Sequence, residues 1–100
     1  MGDRASVSFR NGDLESVTLN THWGGLGFQR EAQRFAEELK AERDPRGGMP
    51  LDRLEPDVVM VDFIRHLTKE LDRVEGNLWV VATPEDSDNS DRGHVIAELS

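Results

Sequence analysis

From Ala5 to Arg10 the chain alternates, with Ala5, Val7 and Phe9 set against Ser6, Ser8 and Arg10. That is the period of a half-buried strand. Asn11-Gly12-Asp13 follows, a hairpin turn signal because Asn and Gly tolerate positive φ. A second strand carries Val17, Leu19 and Thr21 against Thr18 and Asn20. A strict two-residue Asn-Gly turn would set Val7 opposite Ser16 and send Val17 and Leu19 to the other face. Pairing Val7 with Val17 and Ala5 with Leu19 keeps the apolar side chains together. The pattern therefore predicts a longer loop or a bulge.

At Gly24-Gly25-Leu26-Gly27 the period changes from two to about 3.6. Phe28, Ala32, Phe35, Ala36 and Leu39 form one stripe, with Glu31, Arg34, Glu37, Glu38 and Lys40 on the wet side, so a helix begins within the glycines or just after them. Asp44-Pro45-Arg46-Gly47-Gly48-Met49-Pro50 is a loop of breakers. A second helix starts near Pro56, with Asp57 complementing its dipole. Val59, Met60, Phe63, Ile64, Leu67 and Leu71 line its buried face, Asp62, Arg65, Lys69 and Asp72 its outer one, and Gly76-Asn77 ends it. Leu78 to Ala82 is apolar on both faces, which predicts a central or covered strand. Thr83 to Gly93 is an acidic hairpin loop, and His94 to Leu99 a last strand. The order ββααββ, two hairpins flanking a helix pair, predicts an α+β two-layer sandwich. Its four-stranded, mostly antiparallel sheet carries both helices on one face.

A chain of 100 residues holds one core, hence a single domain over 1–100. Hydrophobic residues are 36%, lean for a folded domain but above a disordered one. No apolar run approaches the roughly 20 residues that span a bilayer, and Met1-Gly2-Asp3-Arg4-Ala5 lacks the build of a secretory signal. A cytosolic chain with no membrane partner is expected. Twenty acids against 12 bases give a net charge of -8, which repels nucleic acid phosphates, so no nucleic acid partner is expected either. Ten arginines against two lysines fit a GC-rich or salt-adapted genome better than mimicry of nucleic acid, since mimics carry denser acid runs.

Without cysteine there is no disulfide framework, thiolate metal cage or Cys nucleophile. His22, His66 and His94 have no ligand spacing, although a fold could join His22 and His94, both at strand ends. Asp86-Ser87-Asp88-Asn89-Ser90-Asp91 starts like a calcium loop, but Asp91 stands where the sixth-position Gly belongs and Ala97 where the twelfth-position Glu belongs. No cofactor or metal is expected. Trp79 is assigned to the core and Trp23 to the lid of its other end. Ser6 and Ser8 have no nucleophile elbow around them. The most suggestive site is Thr21-His22-Trp23-Gly24-Gly25-Leu26-Gly27 leading into a helix. Backbone donors there could meet an anion, Trp23 could stack, His22 could donate, and Arg4 and Arg30 could add charge. It matches no phosphate-loop pattern, and a tight turn under a packed Trp is the preferred reading.

The opening Met1-Gly2-Asp3-Arg4-Ala5-Ser6-Val7 and the later Thr21-His22-Trp23-Gly24-Gly25 resemble a family of small phage and prokaryotic proteins. Their members start M-G-N-R-A-x-[VI] and carry L-H-W-N-G-G at a strand end. The chain departs at Asp3, at Thr21 and in lacking the Asn between Trp23 and Gly24. The likeness covers about the first quarter, with Asp88-Asn89 before His94-Val95-Ile96 similar in outline. It implies a phage or mobile-element accessory role, no established activity, and His22-Trp23-Gly24-Gly25 with Arg4 as the place to look. With no nucleophile–base or metal constellation in the sequence, the expected function is a small non-catalytic binding or interaction protein with an unassigned protein partner. A homodimer through the apolar Leu78–Ala82 strand is the attendant expectation. The alternative is binding of a small anionic ligand, a nucleotide or phosphate, at the Gly-rich joint.

Overall fold

The computed structural model describes residues 4–22, 24–42, 55–69, 78–87 and 89–99. Five strands are β1 (Ala5–Asn11), β2 (Leu14–Glu15), β3 (Thr18–Thr21), β4 (Leu78–Val81) and β5 (His94–Glu98). Two helices, α1 (Gly25–Glu42) and α2 (Pro56–Thr68), come between β3 and β4. The fold is α+β with a mostly antiparallel sheet, as the pattern predicts. Among the described residues no helix is long and apolar enough to cross a membrane.

The first turn is tighter than expected. Asn11 pairs with Leu14, so the two loop residues are Gly12 and Asp13. Gly12 has φ 64° and among the described residues no non-glycine has positive φ, the φ signs of a type II′ turn. The bulge comes afterwards. Arg10 pairs with Glu15 and Val7 with Leu19: three steps on β1 against four on its partner, so Ser16 and Val17 share the place opposite Phe9. Ser16 stabilises the kink by donating its N–H to Phe9 O (2.8 Å), accepting Phe9 N–H on Oγ (2.9 Å) and donating Oγ–H to Val17 O (2.8 Å). The register is Val7–Leu19 and Ala5–Thr21, two residues beyond the expected Val7–Val17 and Ala5–Leu19. Parity is kept for Leu19 and Thr21, which lie on the expected face, but the bulge leaves Val17, expected on that face, 38% exposed.

The second half of the sheet departs from expectation. β4 and β5 do not form a hairpin. β4 pairs antiparallel with β3, and β5 pairs parallel with β1 from Ser6–His94 to Arg10–Glu98. The strands therefore run β5, β1, β2/β3, β4 across the sheet, and residues 82–93 carry the chain from one edge to the other. Leu78–Ala82 is accordingly not a central strand: among the described residues β4 lies at an edge, and Val80 is 52% exposed.

On one face Ala5, Val7, Phe9, Leu19, Ala97 and Leu99 meet Phe28, Ala32 and Ala36 of α1 and Val59, Met60 and Phe63 of α2, all buried. The expected stripes of both helices are the observed ones. Phe63 lies at the centre, with ring centroids 5.4 Å from Phe9, 5.4 Å from Phe35 and 6.2 Å from Phe28. His66 of α2 bonds Glu31 of α1 (2.9 Å) and stacks on Phe63, closing the helix pair. α1 packs on β1 and β5, and α2 on β1 and β2; on β4, Leu78 is partly buried against the core and Val80 is exposed. The expected loop at Asp44–Pro50, Leu71 and the stop at Gly76-Asn77 lie outside the described residues.

Candidate functional site

The strand-to-helix joint is built largely as the sequence implies. β3 ends at Thr21, opposite Ala5, so Arg4 and His22, just beyond that last pair, share one end of the sheet with Gly24 and Gly25. Gly24 has φ 65°, and its carbonyl accepts the first helical N–H, from Phe28 (2.9 Å). No acidic residue stands in the first turn of α1. A Cβ on Gly24 would meet nothing within 4 Å, so only its backbone conformation asks for glycine. Gly24→Ala is expected to cost about 1 kcal/mol, the penalty of a left-handed alanine, checked by urea denaturation; a neutral result would contradict this conformation.

The charges do not converge there as an open anion cradle. Arg4 donates its backbone N–H (2.9 Å) and Nε–H (3.1 Å) to Asp91 Oδ2. Those bonds hold the Asp91 carboxyl below its ordinary pKa. Arg30 is exposed on α1. His22 is exposed and lies against Trp79, ring centroids 4.5 Å apart. Trp79 is thus half-buried on the face away from the helices and is not a core residue. Trp23 lies outside the described residues.

The richest polar chemistry lies elsewhere, on the sheet face opposite the helices. The alternation of β1 sends Ser6 and Ser8 to that face, where both are 0% exposed. The parallel register lays His94 beside Ser6. Ser8 Oγ–H donates to Glu15 Oε2 (2.8 Å). Its only proton is then in use, so Nε2–H of His94 donates to Ser8 Oγ (3.0 Å), and Nδ1 accepts Oγ–H of Ser6 (2.7 Å). Ser6 Oγ in turn accepts Nδ2–H of Asn89 (2.9 Å), whose other proton goes to Ser87 Oγ (3.0 Å). Ser87 Oγ–H donates to Pro84 O (2.7 Å). One directed chain therefore runs from Asn89 through Ser6, His94 and Ser8 to Glu15. It requires the neutral imidazole, and burial holds His94 below its usual pKa against the opposing charges of Glu15 and Glu85.

The segment expected as a solvated hairpin loop is thus partly docked. It forms a 3-10 turn at Pro84–Asp86, and Ser87 and Asn89 reach Ser6. The following turn is held by Arg92 N–H to Arg4 O (2.9 Å), Ser6 N–H to Gly93 O (3.1 Å) and Gln29 Nε2–H to Gly93 O (3.0 Å). Chemically, Ser6 donating to an imidazole is the first half of a nucleophile–base pair. Its Oγ, however, is sealed from solvent and already accepts from Asn89, so in this arrangement the chain of bonds fastens the crossover to the sheet. On the same face Thr18 Oγ1 and Asn20 Oδ1 are buried without a hydrogen-bond partner among the described residues, each a cost of roughly 1–3 kcal/mol. Among the described residues no three His, Asp or Glu side chains are grouped to hold a metal. His22 and His94 stand on strands separated by β1 and do not meet. No protein-family model, no curated protein and no solved structure matches the chain.

Proposed function

We propose that this chain works by contact with another protein and not by catalysis, through the edge of its sheet formed by β4. The observation that carries this is an apolar edge strand with no device to blunt it. Leu78-Trp79-Val80-Val81 has no charge, proline or bulge, and Val80 is 52% exposed. Unblunted edges of this kind pair with other chains. The sealed state of Ser6 and Ser8 supports the non-catalytic half of the reading, since a hydroxyl with no exposed surface offers a substrate no approach. The resemblance of the opening hairpin to small phage and prokaryotic proteins suits an accessory role of this kind.

The test compares the chain with Val80→Lys as baits in extract of the cell that encodes it, beside a panel of ester, amide and phosphate-ester substrates. A lysine at an exposed edge position changes stability by no more than about 0.5 kcal/mol, so both proteins should melt alike. The expected result is a retained protein that Val80→Lys loses, with no turnover by either. Turnover that vanishes with Ser6→Ala or His94→Ala would contradict the proposal.

A further inference from the structure

We infer that the occupant of the β4 edge is β4 of a second copy, joined antiparallel about a two-fold axis through Val80, so that two five-stranded sheets become one. This rests on the reading of β4 as a contact edge and names its partner.

Among the described residues the sheet has two edges, and they differ in kind. On β5, Ser6 N–H bonds Gly93 O and Leu99 N–H bonds Arg10 O, so odd-numbered residues face β1, and the backbone groups of His94, Ile96 and Glu98 point outward. Glu98 pairs with Arg10. The groove between β5 and α1, of about 420 Å³, is lined by Arg34, Glu37 and Lys40 as well as Ile96 and Ala97. A chain adding there must desolvate several charges, the usual protection of an edge. Leu78–Val81 carries none. Two copies that each bear a net charge of -8 repel one another, and an edge free of charge brings no like charges into contact.

Symmetry then fixes the register. A two-fold axis normal to a continuous sheet keeps the helix side of one copy on the helix side of the other. Only residues of the same parity can therefore stand opposite each other. Leu78 and Val80 face the helix side with Thr21 and Leu19, and Trp79 and Val81 face the other with Asn20 and Thr18. A two-fold axis at Val80 pairs Leu78 with Ala82, Trp79 with Val81 and Val80 with its own copy. Every one of these pairs is apolar, and the half-exposed Val80 is covered. So short a ladder buries less than the 1,200 Å² or so of a stable interface, so the dimer is reversible.

Sedimentation across a concentration series tests the pairing, together with cysteine cross-linking in a chain that has no cysteine of its own. Directly opposed strand residues lie close enough for a disulfide after small adjustment. The expected result is a monomer–dimer equilibrium abolished by Val80→Lys, with rapid oxidation of Val80→Cys to a linked dimer. Val58→Cys, 55% exposed on α2, should stay unlinked under the same conditions. A wild-type monomer at every concentration, a dimer that survives Val80→Lys, or linking by Ile96→Cys in place of Val80→Cys would overturn the inference. If the monomer still retains a different protein that Val80→Lys loses, the two-fold pairing falls while the β4 contact stands. If it retains none, both fall.

Discussion

Phe63→Ala is expected to lower the unfolding free energy by about 3–5 kcal/mol, the cost of emptying an aromatic position in a packed core. A domain of this size holds roughly 5–15 kcal/mol in all, so the variant should sit close to unfolding. Phe63 is fully buried, and its ring meets Phe9 from the sheet, Phe28 and Phe35 from α1, and His66 from its own helix. Among the described residues no other ring meets as many rings. Urea denaturation should show a lower midpoint with an unchanged slope. Val61→Ala, on the same helix at 57% exposure, should leave the midpoint within about 0.5 kcal/mol. A loss under about 1.5 kcal/mol at Phe63, or an equal loss at Val61, would show that α2 presents a different face to the sheet.

Acid should loosen the other side of the sheet before it protonates the carboxylates. His94 resists protonation in the fold because it is buried and because Nδ1 must accept the hydroxyl proton of Ser6. The unfolded imidazole titrates near 6.5, so below that pH the unfolded chain binds more protons than the native one. The His94 contribution is complete above about pH 6.5 and is lost as the pH falls toward the depressed native value, with a slope of at most about 1.4 kcal/mol per pH unit. Asp91, whose carboxyl is held low by Arg4, loses its contribution only further down, in the carboxylate range. Melting wild type and His94→Gln from pH 7.5 to 5 isolates the effect, because His22 and His66 are common to both. The wild type should lose stability more steeply than the variant. Parallel curves would mean that the Asn89–Ser6–His94–Ser8–Glu15 chain is not closed in solution.

The parts of the fold legible in the sequence are those set by local period. Ala5/Val7/Phe9, the Phe28–Leu39 stripe and the Val59–Phe63 stripe each name a buried face without reference to any other element. The bulge was legible too, since no strict turn could put Leu19 on the face of Val7. Its position was not, because Ser16 stabilises it by three hydrogen bonds that spacing does not reveal. The placing of the last two strands was hidden for a different reason. Nothing in His94–Glu98 distinguishes a hairpin partner of β4 from a parallel neighbour of β1, and hairpins are the commoner solution for strands joined by a short loop. From that one ambiguity follow the reading of β4 as central, of Trp79 as core and of residues 83–93 as a solvated loop. The buried polar chain was missed with them. Ser6 and Ser8 two residues apart on a strand give one shared face and no more, and only the parallel register brings His94 to it. The joint at Gly24-Gly25 was found from its glycines, whereas the Arg4–Asp91 pair crosses nearly the whole chain and leaves no local signal.

Hydrogen–deuterium exchange of the backbone amides of Leu78–Val81, followed in dilute and concentrated protein, tests the open β4 edge most directly. The amides of Leu78 and Val80, which point away from β3, should exchange faster than the ones β1 shares with β3 in dilute solution, and become protected as concentration rises, while His94–Glu98 stays unchanged. Protection of Leu78–Val81 that is already complete in dilute protein, or concentration-dependent protection confined to His94–Glu98, would contradict the assignment of β4 as the contact edge.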